Sequence, residues 1–530
     1  MVDFPLGKIH LAFAAPKYSN CGGTTGALGY TRRKLSLYSN ERAKTQGQPI
    51  ARAGSGLRVA ARSWHEEDCL TKDDPITRAE ADSTQGDAGG VSHAWRALRH
   101  RNFRLFFGGQ TISLIGTWMT RIATSWLVYR LTHSALLLGT VSFTGQIPTF
   151  IIAPFAGVWI DRLDRRQVLV WTQTLAMVQS FVLAALTFSG RITIHWILAL
   201  SIAQGIINAF DMPGRQAFMV QMVGDRADLG NAIAINSSMV NVARLIGPSL
   251  AGMLIAATNE AWCFLIDGIS YIAVIASLLM MQLNIPAVRR TATSTLQEIK
   301  EGWSYVSGFV PIRTILMLFA LVSLMGMPFV VLMPVFAANV LHGGAHTLGF
   351  LMGAMGVGAL ISALSLAARR NVRGLIRMIP TAAVVFGLGL IGFGLSHVFW
   401  LSMLTVLVAG MGMMQGMASS NTIVQTLVSE DKRGRVMSYY TMAFVGMAPF
   451  GSLLAGAMAH VIPPIPMWIV GGPLLSGAQW TVIFNGVVVV LGAMWFFTQL
   501  PALRRTVRPI YEEMGIIPAA KKMATEQVQS

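Results

Sequence analysis

Two long apolar stretches flank the run Gly157-Val158-Trp159-Ile160-Asp161-Arg162-Leu163-Asp164-Arg165-Arg166. The run holds five charged side chains, although only 12% of the residues in the whole chain are charged. A glycine lets neighbouring helices approach closely, and arginines keep a loop on one side of a bilayer. The run therefore predicts a short loop that joins two membrane-spanning helices.

The composition of the 530-residue chain supports this interpretation. Hydrophobic residues make up 53% of the chain, and its charged fraction is half of the roughly 25% that is usual in soluble proteins. Apolar stretches recur along the sequence, and a helical span needs about 20 such residues. A transmembrane barrel would show short segments of alternating polarity instead. The sequence thus predicts an all-α polytopic membrane protein.

From residue 103 onward we expect twelve transmembrane helices, which we call spans 1 to 12 and which would form two six-helix bundles. Lys and Arg are concentrated before the first span and after the even-numbered spans, so the positive-inside rule predicts that both termini are cytoplasmic. The predicted limits are 103–130, 135–160, 167–189, 193–212, 231–257, 261–284, 312–340, 347–368, 374–395, 398–420, 435–460 and 478–499.

Five regions follow from this division. Residues 1–95 mix small residues with charges of both signs, which predicts a disordered cytoplasmic tail; a translation start downstream of the printed one is the alternative. The bundles would occupy 96–284 and 312–500, and 501–530 would be a second cytoplasmic tail. Between the bundles, 285–311 places apolar residues at helical spacing, which favours an amphipathic helix on the membrane surface. A merely solvated linker is the alternative there.

Several classes of function are disfavoured by the sequence. The net charge of +17 would suit a nucleic-acid partner, but the basic residues are concentrated in the first hundred residues and in alternate loops, as membrane topology requires. Cys21, Cys69 and Cys263 are too far apart to form a metal-binding pattern. Phosphate-binding and hydrolase motifs are absent from the sequence. We therefore expect no nucleic-acid partner, no cofactor, no metal and no enzymatic activity.

The two halves of the sequence repeat at a shift of 204 residues. One unchanged shift matches several glycines across two spans and a loop, so chance is a poor explanation. Parallel halves related by an axis along the membrane normal are a known transporter architecture. The matches are Val220-Gln221 with Val424-Gln425, Gly230 with Gly434, Gly247 with Gly451, and Leu250-Ala251-Gly252 with Leu454-Ala455-Gly456.

The run at 157–166 resembles the signature loop of the major facilitator superfamily, G-x-x-x-D-R-x-G-R-R, with Asp164 in place of the second Gly. Other segments resemble the bacterial branch that includes enterobactin exporters and macrolide efflux proteins. The resemblance covers about residues 95–500 and implies a twelve-span transporter of the inner membrane. These segments are Ala97–Arg104, Trp126–Tyr129, Asp211–Gln216 and Arg244–Gly252.

The resemblance also implies that the charged loop is a conformational gate, which holds the two halves together when the cavity opens outward. Charge pairs at a helix end suit a switch because each is only partly buried. The alternative is a cluster that serves topology alone. The repeat carries Asp161 onto Ser365, so we expect an asymmetric gate. Its residues would be Gly157, Asp161, Arg162, Arg165 and Arg166, with Asp211 and Arg215 as partners from the loop after span 4.

Span 1 carries a polar stripe, Gln110, Ser113, Thr117, Arg121 and Thr124, at gaps of 3, 4, 4 and 3 residues. This spacing places the five side chains on one helical face, and a polar face within a span points to the bundle interior or to a wet cavity. We expect these residues to line a central substrate cavity. A cation deep in a span needs a partner or an anionic ligand, and the alternative is that Arg121 has a structural role.

Span 5 carries a second candidate set. Asn241 and Arg244 would face the same cavity, and Gly247, Pro248 and Gly252 resemble the antiporter motif of the superfamily, G-x-x-x-G-P-x-x-G-G. Two alanines replace glycines of that motif, at its first and next-to-last positions. Ordinary packing of small residues is the alternative explanation for the glycines.

Asp267 in span 6 is the candidate proton site, because acids are nearly absent from the spans. An interfacial position or a pairing with Arg244 is the alternative. The sequence therefore favours a monomeric, proton-coupled exporter of small amphipathic molecules, such as siderophores or drugs, that works by alternating access in the bilayer. The alternatives are a facilitator or importer of a lysolipid or metabolite, and a membrane sensor or scaffold that does not transport.

Overall fold

The computed structural model describes residues 96–160, 163–223, 228–282, 295–369, 374–466 and 474–513. Within them the backbone is almost entirely helical, apart from the paired strands Ile465–Pro466 and Leu474–Leu475. The predicted tail at 1–95 lies outside the described residues, as does 514–530.

The first half begins with a short 3₁₀ turn, Arg96–Arg99, which is followed by six long helices. Span 1 packs against spans 5 and 6, span 3 against spans 4 and 6, and span 2 against span 4. Spans 1 to 6 are Arg101–Thr132, Ala135–Ile160, Arg165–Phe188, Ile194–Met222, Leu229–Ala257 and Glu260–Met280.

The second half follows a linker helix, Thr295–Gly308. Span 7 is α-helical over Val310–Leu321 and Phe329–Val335, with a π-helical turn after each segment, Val322–Gly326 and Phe336–Val340. Span 11 is divided into Glu430–Val445 and Ala448–Val461. The other spans are Ala345–Ala367, Leu375–Leu395, Phe399–Leu427 and Gly477–Glu513.

Eleven of the described helices are long and apolar enough to cross a membrane. Span 1 has 32 residues, but its polar side chains keep it outside this group. The structure confirms an all-α polytopic membrane fold, and the assignment of span 1 as a twelfth transmembrane helix stays a prediction.

The two halves meet where spans 5 and 8 cross and where spans 2 and 11 cross. A Cβ atom on Gly252 would lie 2.7 Å from the carbonyl oxygen of Ala345 and 2.9 Å from the Cα of Gly349. A Cβ on Gly456 would lie 2.7 Å from the carbonyl oxygen of Ala135 and 3.0 Å from the Cα of Gly139. Only glycine allows backbones to approach this closely.

Both crossings lie near the loops that follow spans 1, 5, 7 and 11, and we call this side of the molecule the odd-loop end. The opposite side, where spans 2, 4 and 6 end, is the even-loop end. The repeat recognised in the sequence relates the crossings, because Gly456 is the copy of Gly252. Gly451 is likewise the copy of Gly247. Gly247 packs against Trp118 of span 1, and Gly451 packs against Leu324 of span 7, the copy of span 1.

Three helices continue beyond their predicted ends. Span 4 runs to Met222 rather than 212, span 10 to Leu427 rather than 420, and span 12 to Glu513 rather than 499. Hydropathy marks where a helix leaves the hydrocarbon region, whereas the i to i−4 hydrogen bonds continue wherever the local sequence tolerates them. The first part of the predicted C-terminal tail is therefore helical.

The linker helix packs against the first segment of span 11. Its Gly302 lies so close to Tyr439 that a Cβ would be 2.9 Å from the phenol ring. The rings of Trp303 and Tyr439 lie 5.9 Å apart, and the Lys432 ammonium lies 4.8 Å from the centre of the Tyr305 ring. The segment is thus helical and belongs with the second half.

Candidate functional site

The charged loop lies at the even-loop end, and only part of it belongs to the described residues. Gly157 lies in the last turn of span 2, and Asp161 and Arg162 lie outside the described residues. Asp164 is the N-cap of span 3, where its carboxylate accepts a hydrogen bond of 2.9 Å from the backbone N–H of Arg166. Its φ of −68° is unstrained for any residue, which explains how an aspartate can replace the glycine of the family pattern.

The two arginines at the start of span 3 hold the first half together. Arg165 Nη1 donates to the carbonyl of Ala217 in span 4 at 3.4 Å, and Arg166 Nη2 donates to the carbonyl of Leu279 in span 6 at 2.5 Å. Arginines near a helix C-terminus stabilise its unpaired carbonyls. These described contacts lie within one half of the molecule. The role of the loop in joining the two halves stays a prediction.

The predicted loop position of Asp211 and Arg215 is wrong, because span 4 continues through both residues. Asp211 is 5% exposed and accepts hydrogen bonds from the guanidinium of Arg215, one turn further along, and from Gln173 and Thr172 of span 3. The Gln173 and Thr172 bonds measure 2.6 and 3.1 Å. A buried carboxylate requires this degree of pairing. The helix passes through Pro213 without ending.

A second charged cluster, which no local pattern in the sequence predicts, lies at the even-loop end. Asp228, the N-cap of span 5, is paired with Arg96, and His100 Nε2 lies 2.8 Å from its Oδ2. Hydrogen bonds from His100 and then from Arg96 lower the pKa of Asp228 below its ordinary value. The cluster fixes the segment before span 1 to the start of span 5.

The polar stripe of span 1 does not form one uniform face. Gln110 and Ser113 are buried, and the Thr117 hydroxyl lies 3.5 Å from that of Tyr271 in span 6. Span 6 covers this part of the stripe because small residues of span 1 let it approach. Arg121, by contrast, is exposed, and Thr117 and Thr124 are half-buried. Arg121 is therefore the exposed member of the stripe.

Arg121 forms a cluster with two residues that flank it in space. Its guanidinium carbon lies 4.6 Å from the centre of the Trp118 ring, and that of Arg244 from span 5 lies 5.3 Å from the same centre. Gly247 permits this arrangement, because a Cβ there would lie 2.6 Å from the Cβ of Trp118. We call Trp118, Arg121 and Arg244 the arginine–indole cluster. Trp118 was not predicted, although its position one turn before Arg121 was a usable signal.

The other predicted residues of span 5 have identifiable contacts. Asn241 donates to the carbonyl of Ser237 in its own helix at 3.0 Å. Pro248 is buried, Gly247 packs on span 1 and Gly252 packs on span 8. The antiporter-like motif thus serves close packing at two interfaces, which was the alternative explanation, and its functional role stays a prediction.

Asp267 is 1% exposed and lies between spans 1 and 3. Its Oδ2 accepts hydrogen bonds from Thr120 at 2.8 Å and from Ser180 at 2.9 Å. Its Oδ1 has no hydrogen-bond partner in the part of the chain that the structure describes. The described ion pairs do not join Asp267 to Arg244, so that alternative is not supported.

The other acid at the odd-loop side of span 6, Glu260, has a clear partner. Arg130 at the end of span 1 donates to both of its carboxylate oxygens, at 2.8 and 3.0 Å. Asp267 therefore differs from Glu260 and Asp211, because both of those acids lie against an arginine.

The comparison with protein families gives a match over most of the chain. The family described as "Transmembrane secretion effector" matches residues 92–495. The chain is 26% identical to the staphyloferrin A transporter of Staphylococcus aureus (strain NCTC 8325 / PS 47), covering 68% of this chain and 89% of that protein. It is 22% identical to macrolide efflux protein A of Streptococcus pyogenes, covering 71% and 95%.

A third relative is the enterobactin exporter of Escherichia coli (strain UTI89 / UPEC), which is 25% identical over 69% of this chain and 87% of that protein. Among solved structures, the chain is similar to a bacterial homologue of the human lysosomal transporter Spinster in an inward-facing, unoccupied conformation. That similarity has a TM-score of 0.58 at 13% identity, covering 80% of this chain and 99% of the other, and it shows the fold alone.

Proposed function

The chain belongs to the transmembrane secretion effector family of major facilitator superfamily transporters, and from this premise we propose that it exports small amphipathic molecules, such as siderophores or drugs, in exchange for protons. The observation that carries the proposal is the pair of glycine crossings at one end of the molecule. Two six-helix halves that touch backbone to backbone at one end can separate there while they close at the other end, which is alternating access. The relatives are named as a staphyloferrin A transporter, a macrolide efflux protein and an enterobactin exporter. These names support export as the direction of transport, and siderophores or drugs as the cargo.

The charge pattern gives the proposed orientation. Lys and Arg are concentrated in the even-numbered loops, so the even-loop end faces the cytoplasm and the odd-loop end faces outward across the bacterial inner membrane. The crossings at Gly252 and Gly456 then close the outer side. A transporter in this conformation can receive cargo from the cytoplasm, which is the loading step of an exporter. We treat one chain as the transport unit, because both sides of each crossing belong to the same chain.

Asp267 is the proposed proton carrier. A carboxylate that is buried without a basic partner is costly, and a proton on Asp267 would remove that charge. Thr120, one of its two hydroxyl partners, is the residue directly before Arg121 in span 1. A change of protonation at Asp267 would thus act on the same turn of span 1 that carries the arginine–indole cluster.

The test is efflux from cells that overexpress the protein, measured for a panel of siderophores, macrolides and dyes with and without a protonophore. We expect efflux of at least one compound, abolished by the protonophore and by Asp267→Asn. Glu512→Gln is the matched control, because it neutralises an acid near the end of span 12, outside the charged loop and in the other half of the chain from Asp267, where Glu512 pairs only with Arg508 of its own helix among the described ion pairs. Energy-independent uptake with no efflux of any compound would instead favour a facilitator.

A further inference from the structure

The arginine–indole cluster lies at mid-depth in the proposed membrane span. Eleven residues separate Arg121 from the end of span 1 at Thr132, and thirteen separate Arg244 from the end of span 5 at Ala257. At 1.5 Å per residue these separations are about 17 and 20 Å, about half the thickness of a bilayer core with its interface. Substrate sites of transporters with two repeated halves lie at this depth.

The cluster holds two cations against one aromatic ring. The guanidinium carbons of Arg121 and Arg244 lie at most about 10 Å apart, the limit set by their distances of 4.6 and 5.3 Å to the centre of the Trp118 ring. A guanidinium over an indole face gains a cation–π attraction. That attraction does not neutralise either charge, so the cluster carries two positive charges in a region where charge is costly.

The acids that could compensate these charges are engaged elsewhere. Among the described residues, Asp211 pairs with Arg215, Glu260 pairs with Arg130, and Asp267 accepts hydrogen bonds from two hydroxyls. The described ion pairs include neither arginine of the cluster. Arg244 also buries its Nε without a hydrogen-bond partner in the described part of the chain, while Arg121 is exposed. A donor without an acceptor, beside an accessible cation, is complementary to an anion.

We propose that Trp118, Arg121 and Arg244 bind the carboxylate of the cargo, so that the transported amphipathic molecules are organic anions. Guanidinium groups match carboxylate oxygens in charge and in fork geometry. The indole would lie against the apolar part of the same molecule. This site specifies the substrate class of the proposed function. It rests on that function only for the statement that the bound anion is transported.

The test uses the purified full-length chain and two fluorescent probes, dansylglycine and dansylglycinamide, which differ only in a carboxylate and a neutral amide. We expect the protein to bind the acid at least tenfold more tightly than the amide in a dansyl fluorescence titration. Arg121→Gln and Arg244→Gln should each weaken the acid by about tenfold or more and the amide by less than twofold. Arg191→Gln is the matched control, because it removes the same charge from an exposed position outside the cluster.

Binding of the amide shows that each variant remains folded, so a loss confined to the acid supports the proposal. Arg121→Lys keeps the charge without the fork and should fall between the wild type and Arg121→Gln. Equal affinity for acid and amide in the wild type, including no binding of either, overturns the proposal, as does an equal loss of both probes in the variants. Efflux in cells without a preference for carboxylates would refute this proposal alone. Arginine-dependent binding of the acid without any efflux would refute only the proposed function.

Discussion

Replacing Gly252 by alanine should weaken the closure of the odd-loop end. The added methyl would lie 2.7 Å from the carbonyl oxygen of Ala345 and 2.9 Å from the Cα of Gly349, and both are backbone atoms that cannot rotate away. Overpacking of this kind costs about 1–3 kcal/mol. Because the strain exists only where spans 5 and 8 touch, it should shift the ratio of closed to open molecules by about 5- to 150-fold.

The assay is pulsed electron spin resonance, which measures the distance between two spin labels placed on the two sides of that crossing. Thr258→Cys and His346→Cys, in a chain with its three native cysteines replaced by serine, would place labels at exposed positions directly after span 5 and at the start of span 8. We expect the short distance of the closed end to lose population and a longer one to gain it. A thermal melt of each variant would show that the protein remains folded.

Gly230→Ala is the matched control, because nothing lies within 4 Å of the position where its methyl would be placed. This control should leave the distance distribution unchanged. An unchanged distribution in Gly252→Ala as well, in folded protein, would refute the argument that backbone contact at this crossing holds the odd-loop end shut.

Three further changes test the charged groups and the helix cap. Arg130→Gln should destabilise the chain by about 2 kcal/mol in a thermal melt, since it leaves the buried Glu260 unpaired while Arg130 itself is half-exposed; a double Arg130→Leu/Glu260→Leu variant as unstable as the single one would contradict this. Asp164→Ala should cost about 1 kcal/mol through loss of the span 3 cap, and Asp164→Asn almost nothing, as measured by unfolding. The lowered pKa of Asp228 stabilises the folded chain at any pH above the ordinary aspartate pKa of about 3.9. This stabilisation is lost as the pH falls through the lower pKa of the folded state. The difference in melting temperature between the wild type and Asp228→Asn should therefore shrink below about pH 4.

The membrane architecture could be predicted well from the sequence because apolar length and loop charge are local properties. Spans 2 and 5 end at Ile160 and Ala257, as the apolar pattern predicts. The 204-residue repeat singles out Gly252 and Gly456 by sequence alone, since glycine at a helix crossing is a local requirement. Sequence could not give their partners, Gly349 and Gly139, because the pairing depends on how the two halves meet.

The candidate site was less predictable, because its geometry depends on contacts between helices that are distant in the sequence. Asp211 and Arg215 were assigned to the loop after span 4 because the predicted span ends at 212, but a proline such as Pro213 can be accommodated in a long helix when neighbouring helices satisfy the backbone. The spacing of the span 1 stripe showed which side chains share a helical face and not which neighbour covers each of them. Span 6 lies against Thr117, while the guanidinium of Arg121 lies on Trp118. Pairings such as Arg130 with Glu260 join residues 130 positions apart and leave no trace in local periodicity.

Span 5 links the proposed cargo site to the crossing that closes the odd-loop end. Its Gly247 touches Trp118, the ring of the arginine–indole cluster, and its Gly252 touches Gly349 in the other half. Five residues of one helix, about 7.5 Å, separate the two contacts, so the backbone of span 5 links them directly, with Pro248 as the point where it can bend. Any displacement of Trp118 by an incoming ligand would therefore be felt at the crossing without a chain of intermediate side chains.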